Sequence, residues 1–269
     1  MLFRSIKDMS TIFSKVLFEM CGDIAVITLN DPDRRNALSR QIVREVFKAL
    51  ELSATTGARA IVIASSGPAF CAGANIDDLK DGWMERADPL TDPALLFQRL
   101  VEDPRIVIAA VQGGALGGGF ELSMSCDLVV AADTAWFALP EVSRGVIPNT
   151  GLALLQRMVG SRAALELILT GRRLSSEEGV SRGLVNLVVP RESVVEKAVS
   201  LAQDIVSKAP PGAISAAKRH LHAHAGYDWE RVQRSVTDVP RAEWQEGLDA
   251  FTEKRDTNFE PFWRAAAPT

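Results

Sequence analysis

Cysteine, histidine and tyrosine are scarce in this chain, and long apolar runs are missing. Cys21, Cys71 and Cys126 are an odd number with no C-x-x-C pair, which argues against a disulfide framework and favours a reducing compartment, the cytoplasm. No apolar run reaches the roughly 18 residues of a membrane-spanning helix, so no membrane partner is expected. Positive charge is not in excess: 30 Lys and Arg stand against 34 Asp and Glu, a net charge of −4 that speaks against nucleic acid as a partner. The glycine-rich stretch contains neither G-x-G-x-x-G nor G-x-x-x-x-G-K-[ST], which disfavours a dinucleotide cofactor and nucleotide hydrolysis. His220, His222 and His224 tempt a metal reading at helical spacing, but no Asp, Glu or Cys beside them completes a ligand set, and no metal is expected. Residues 1–15 lack the apolar stretch of an export signal; residues 1–12 read as a loose extension, with Met9 an alternative start.

What the chain does have is enough apolar content, 47% of 269 residues, to bury a large core. Val16–Met20 and Ile24–Leu29, joined through Cys21-Gly22-Asp23, read as a hairpin. An amphipathic helix follows through Ile42, Val43, Val46, Phe47 and Leu50. Further strands are expected at 59–64, 105–111, 127–131 and 136–139, with helices near 94–101 and 117–125. Strands alternate with helices to about residue 140, the pattern of an α/β core. Beyond it helices dominate, at 151–159, 162–170, 176–182, 192–209, 211–224 and 228–255, with one strand at 184–189. Residues 13–205 are thus expected to form the core. Residues 206–269 are expected to form a helical region whose large apolar groups, among them Trp229, Val232, Val236, Trp244, Leu248, Phe251, Phe259 and Trp263, pack on the core and on a neighbouring subunit.

Three places carry chemistry. Gly113-Gly114-Ala115-Leu116-Gly117-Gly118-Gly119-Phe120-Glu121 bares backbone N–H groups where a helix opens and ends on a carboxylate. Glu141 follows Pro140 after an apolar strand. Gly67 to Ile76 again sets small residues after a strand, a place for a second exposed N–H. Two carboxyls converging on one cleft can divide acid and base duties around one water, if the fold brings them together. Cys71 beside this loop is a weak nucleophile candidate, since no histidine is near it in sequence.

Six ordered patches resemble the crotonase (enoyl-CoA hydratase/isomerase) superfamily over almost the full length. They are Pro32 to Leu38, Phe70 to Ala74, Ala115 to Glu121 with Cys126-Asp127, Phe137 to Glu141, Leu169-Thr170-Gly171 with Gly183-Leu184-Val185, and Phe251 to Arg255. The resemblance implies a spiral of ββα units with a helical C-terminal trimerisation region, built into trimers or hexamers. It implies an acyl-CoA thioester substrate, with coenzyme A part of that substrate and no separate cofactor. By similarity the N–H groups of Ala72 and Gly118 form an oxyanion hole. Glu121 and Glu141 hold the water that adds to a 2-trans-enoyl-CoA; the alternatives are a double-bond isomerase and a non-catalytic CoA- or RNA-binding protein.

The same resemblance assigns CoA recognition to Arg34 (or Arg35), Ala37, Leu38 and the backbone of Ala72, Gly73, Ala74, Asn75 and Ile76. Phe251 and Lys254 are expected to reach the nucleotide of an adjacent protomer, and Leu79, Trp83, Met84 and Leu90 to line the acyl pocket. Two departures stand out. Asn75 occupies a position where the family often has Asp, and Ile147 to Ala153 lacks a glycine pair in the stretch expected to aim Glu141.

Overall fold

A computed structural model describes residues 13–83, 88–234, 239–259 and 261–262. The expectations on residues 1–12 with Met9, and on Met84, Val236 and Trp263, lie outside the described residues; the same holds for the His224 side chain.

β1 (Val16–Cys21) and β2 (Ile24–Leu29) form the expected hairpin, with Val16 opposite Leu29. α1 (Arg40–Thr55) starts where the Ser39 hydroxyl accepts the Ile42 N–H and buries Ile42, Val43, Val46, Ala49 and Leu50 on one stripe. β3 (Ala60–Ser65) and β5 (Ile106–Val111) are continuous apolar runs because both of their faces are covered. They sit centrally in a six-stranded sheet of order β1-β2-β3-β5-β7-β10, parallel from β2 onward, with β7 at Leu128–Ala132 and β10 at Leu187–Val189.

A second, four-stranded sheet has the order β4-β6-β8-β9, from Ala69–Cys71, Gly114–Leu116, Trp136–Ala138 and Leu174–Ser175. Each pass of the chain places one long strand in the first sheet and the next short strand in the second, then adds a helix. β3 and β4 lead to α2 (Ile76–Lys80); β5 and β6 lead to α4 (Gly118–Met124); β7 and β8 lead to α5 (Asn149–Val159). α3 (Pro93–Val101) intervenes before β5. The chain is therefore an α/β spiral, and the starts of α2, α4 and α5 come after successive strands of the same small sheet.

α6 (Ser161–Thr170), α7 (Ser176–Ser181) and α8 (Val194–Lys208) continue the chain, and α8 packs on β3, β5 and β7. β10 is shorter than expected because Leu184 and Val185 donate their amides to Gly179 O, closing the turn after α7. α9 (Pro211–Ala225) inserts Lys218, whose ammonium donates to Arg105 O at 2.6 Å and pairs with Asp127 at 2.7 Å. Among the described residues the tail includes α10 (Trp229–Arg234) and α11 (Arg241–Glu253). α11 rests on the turn at 142–145: Gly247 lies against Arg144 O and Gly145 against Glu243 O. No helix among the described residues is long and apolar enough to cross a membrane.

Candidate active site

The glycine triplet opens α4. Gly117 caps it at φ 51°, in the left-handed region, and Gly118 is the first helical residue, whose N–H has no partner within the helix. Across from it runs the 71–75 turn. Gly73, at φ 86°, approaches so closely that a methyl group there would stand 2.9 Å from Leu116 O and 3.4 Å from Gly118 N. Only glycine permits this backbone-on-backbone packing.

The structure corrects one donor. Ala72 gives its N–H to Arg35 O at 3.0 Å, which commits that amide to holding the loop rather than a ligand. Asn75 N–H donates to Leu38 O at 2.8 Å, Leu38 N–H donates to Gly73 O at 2.7 Å, and the Gly73 amide lies at the Cys71 sulfur. Leu38 and Ala74 form a parallel bridge, whose bonding pattern turns the Ala74 N–H away from Leu38. The Ala74 nitrogen is 3.8 Å from where a side chain on Gly118 would begin. Ala74, not Ala72, supplies the amide beside Gly118. The sequence could not show this, because the alternation depends on pairing with residues 35–38, a distant segment.

That segment is pinned by Asn36, fully buried and at φ 54°. Its carboxamide oxygen accepts the Asp31 N–H at 2.8 Å, and its NH2 donates to Ser66 O at 2.8 Å and Ala69 O at 3.0 Å. Asn36 therefore holds residues 35–38 against β4, and through them the Ala74 amide. Its signals in the sequence are an asparagine in a turn and a place within the Pro32 to Leu38 patch, neither of which shows this role.

The carboxyls of Glu121 and Glu141 lie near enough for the charge of the first to act on the second. Glu121 projects from the first turn of α4, is 8% exposed, and accepts the Gly151 N–H at 2.7 Å. The Thr150 N–H reaches it too. Residues 149–151 are thus the first turn of α5 and orient Glu121, whereas the sequence expectation had this stretch aiming Glu141. Glu141 stands after Pro140 with Oε1 over Gly117, 2.6 Å from where a methyl would lie, and its Oε2 is buried with no partner among the described residues. Burial raises the pKa of Glu121 against the pull of the Gly151 and Thr150 amides. Burial also raises that of Glu141, with the neighbouring Glu121 charge adding to it and Arg144 opposing it. Two neighbouring carboxyls that are both held above the ordinary range resist being ionised together.

This shift has a sign in stability. As pH climbs past the unfolded value of about 4.3, the unfolded chain releases protons that the folded pair retains, so stability is full in acid and falls as pH rises through the raised folded values. Glu141→Gln removes the part of that difference that Glu141 carries. Its melting temperature is expected to match wild type near about pH 4 and exceed it near about pH 9. A melting difference that stays constant across this range would contradict the raised pair.

The expected CoA-binding residues divide. Arg34 pairs with Asp77 at 2.8 Å on the exposed face at the start of α2. Ala37 and Ile76 are half-buried beside it, whereas Leu38 is buried with its side chain against Gly118. Asn75 is the N-cap of α2, accepting the Asp77 and Asp78 amides at 3.0 and 3.2 Å. Its side chain is spent on the cap, which an uncharged amide performs as well as a carboxylate. Phe251 lies on α11, half-exposed beneath the Arg144 guanidinium at 5.0 Å, and Lys254 ends that helix at φ 55°, exposed. Neither meets the carboxylates within this chain. Of the acyl-pocket candidates, Trp83 is buried and donates to Thr91 O at 3.0 Å, Leu79 lines an open groove with Trp244 and Leu248 of α11, and Leu90 is exposed.

Burial pushes the Cys71 thiol up to about 12, which removes the nucleophile reading. No cluster of potential metal ligands occurs among the described residues. His222 instead lies 3.8 Å from Asp127, which Lys218 already pairs.

Residues 19–261 match the sequence model of the family described as Enoyl-CoA hydratase/isomerase. The chain belongs to this family. A protein of Rhizobium meliloti named probable enoyl-CoA hydratase is 37% identical over 258 residues, covering 92% of this chain and 98% of the relative. The mitochondrial enoyl-CoA hydratase of Pongo abelii is 34% identical, over 88% of this chain and 83% of its own length. Among solved structures, a carnitinyl-CoA hydratase from Mycobacterium avium superposes with a TM-score of 0.80 at 34% identity, covering 92% of this chain and 98% of that one. A methylmalonyl-CoA decarboxylase in complex with 2-nitronate-propionyl-CoA superposes at 0.79 and 30% identity, with the same coverage. The α/β spiral is thus the crotonase fold. A hydratase and a decarboxylase share it, so the family alone does not name the reaction.

Proposed function

We propose that this crotonase-family enzyme is an enoyl-CoA hydratase, adding water reversibly across the double bond of a 2-trans-enoyl-CoA. The observation that carries the reading is the pair of neighbouring carboxyls, Glu121 buried and held by Gly151 and Glu141 half-buried over Gly117, next to the Ala74 and Gly118 amides, with the pKa of each raised. The amides receive the thioester oxygen as it gains charge, and the α4 helix start adds its dipole at Gly118. Water then bonds through oxygen to C3. One of its protons passes to the ionised carboxylate of the pair while the protonated carboxyl gives its proton to C2, so the pair ends with the proton count it began with. The substrate supplies coenzyme A, and the chemistry calls for no further cofactor or metal.

Loss of the ultraviolet enoyl-thioester band on adding purified protein tests the reading. Turnover of 2-enoyl thioesters is expected, and turnover of 3-enoyl thioesters alone would replace it with isomerisation. A pair sharing one proton can also relay a proton between C4 and C2, which is what makes the isomerase the alternative.

Assembly belongs to the same reading, as a trimer or pair of trimers. In the tail, Val232 and Leu248 are buried within the chain, so the expected apolar excess is smaller there than the sequence suggested. Large apolar side chains stand exposed instead on α5 and α6, at Leu152, Met158, Leu165 and Leu169, with Phe251 on α11. Cyclic closure over these faces would hide them and bring Phe251 and Lys254 to a neighbour's CoA. Sedimentation is expected to show a trimer or hexamer; a fully active monomer at low concentration would refute both the assembly and the shared site.

A further inference from the structure

We infer that Asn149 is a third group on the reacting water, fixing the proton that is not transferred. The inference rests on the hydratase reading and extends it to a residue that the family resemblance does not assign.

Two side-chain oxygens of the segment from 141 to 151 are buried without a partner among the described residues: Glu141 Oε2 and Asn149 Oδ1. A buried carbonyl oxygen left unpaired is costly, so a fold that keeps one on the turn whose amides grip Glu121 holds it ready for a donor. Asn149 is the first residue of α5, and the next two amides, those of Thr150 and Gly151, are the ones that grip Glu121. Its carboxamide is therefore carried on the same rigid turn as the hydrogen bonds that orient the carboxylate. The ordinary employment of asparagine at a helix start is to cap it, yet no side-chain cap bond is made at this N-terminus, where Pro148 holds the cap position.

The chemistry asks for such an acceptor. A water that attacks C3 gives one proton to the carboxylate, and its other O–H survives as the hydroxyl of the product. If that second O–H meets another carboxylate, the direction of proton transfer is ambiguous. A carboxamide oxygen accepts the hydrogen bond but does not take the proton near neutrality, so it singles out the proton that stays and turns the water's lone pair toward C3. In the dehydration direction the same bond holds the hydroxyl on C3, so Asn149 acts on the same oxygen both ways. No atom or electron is added to the scheme: the O–C3 bond forms, one O–H breaks, and the second O–H remains intact on Asn149.

The test combines kinetics on Asn149→Ala and Asn149→Asp with a high-resolution crystal structure of the wild-type protein. In hydration of a short 2-enoyl-CoA, Asn149→Ala is expected to lose roughly 10- to 100-fold in kcat, with KM and melting temperature nearly unchanged. Asn149→Asp brings a third carboxyl to the pair and is expected to move the pH profile of kcat toward higher pH, a change that a purely structural role would not produce. The crystal structure is expected to show an ordered water within hydrogen-bond distance of both Asn149 and a glutamate carboxyl. Wild-type kcat in Asn149→Ala with an unmoved profile in Asn149→Asp would overturn the inference while leaving the hydratase reading standing. If wild type does not hydrate, that reading fails by itself. The crystal structure then decides the place of Asn149, with the bridging water supporting it and an Asn149 side chain lacking one overturning it.

Discussion

Glu121→Gln and Glu141→Gln should each lower hydration of a short 2-trans-enoyl-CoA by about 10²–10⁴-fold, the usual contribution of a positioned acid or base. The two losses should not multiply in the double variant, because the carboxyls hold one water and share one proton. Both substitutions keep the side-chain shape. In Glu121→Gln an amide oxygen remains to accept the Gly151 N–H, so the fold should survive, and above neutral pH the variants should be at least as stable as wild type. Full activity in Glu121→Gln with loss only in Glu141→Gln would sink the two-acid mechanism and promote isomerisation.

Gly73→Ala carries the second large effect. The residue sits at φ 86°, and its new methyl would stand 2.9 Å from Leu116 O, which belongs to the strand leading into the glycine triplet. Neither backbone can yield without separating the 71–75 turn from the start of α4, so the Ala74 and Gly118 amides lose their common focus. Losing one donor of such a pair costs about 10²–10³ in rate, and that is the expected fall in kcat. The strained backbone adds a stability loss of about 1–3 kcal/mol. Melting must therefore be measured alongside rate. A folded Gly73→Ala variant with wild-type kcat would show that these amides do not hold the thioester oxygen.

Much of this site was legible in the sequence because its parts are local. A glycine triplet that opens a helix and ends on Glu121, and a proline that sets Glu141 after a strand, are readable as short strings, and the structure brings them together. What was not legible depends on pairing over distance. Ala72 and Ala74 look interchangeable as small residues in one turn; which amide is free is decided by Arg35 and Leu38, some thirty-five residues earlier. The role of residues 149–151 was hidden for the same reason, since their amides meet a carboxylate thirty residues upstream. The long strands of the first sheet were read from their continuous apolar runs. The short strands at Ala69–Cys71 and Gly114–Leu116 are not legible in the sequence, because so few small residues carry no alternation and become strands only through their neighbours.

Hydration in water enriched in heavy oxygen, followed by mass spectrometry of the acyl-CoA, measures the central claim most directly. The wild-type protein given a 2-trans-enoyl-CoA should yield 3-hydroxyacyl-CoA bearing one heavy oxygen at C3. Prolonged incubation should exchange that oxygen reversibly, and Glu121→Gln and Glu141→Gln should each suppress the label. Recovery of unlabelled substrate, or of a rearranged enoyl-CoA without label, from a folded and CoA-binding wild-type protein would contradict the claim that this pair of carboxylates acts on water.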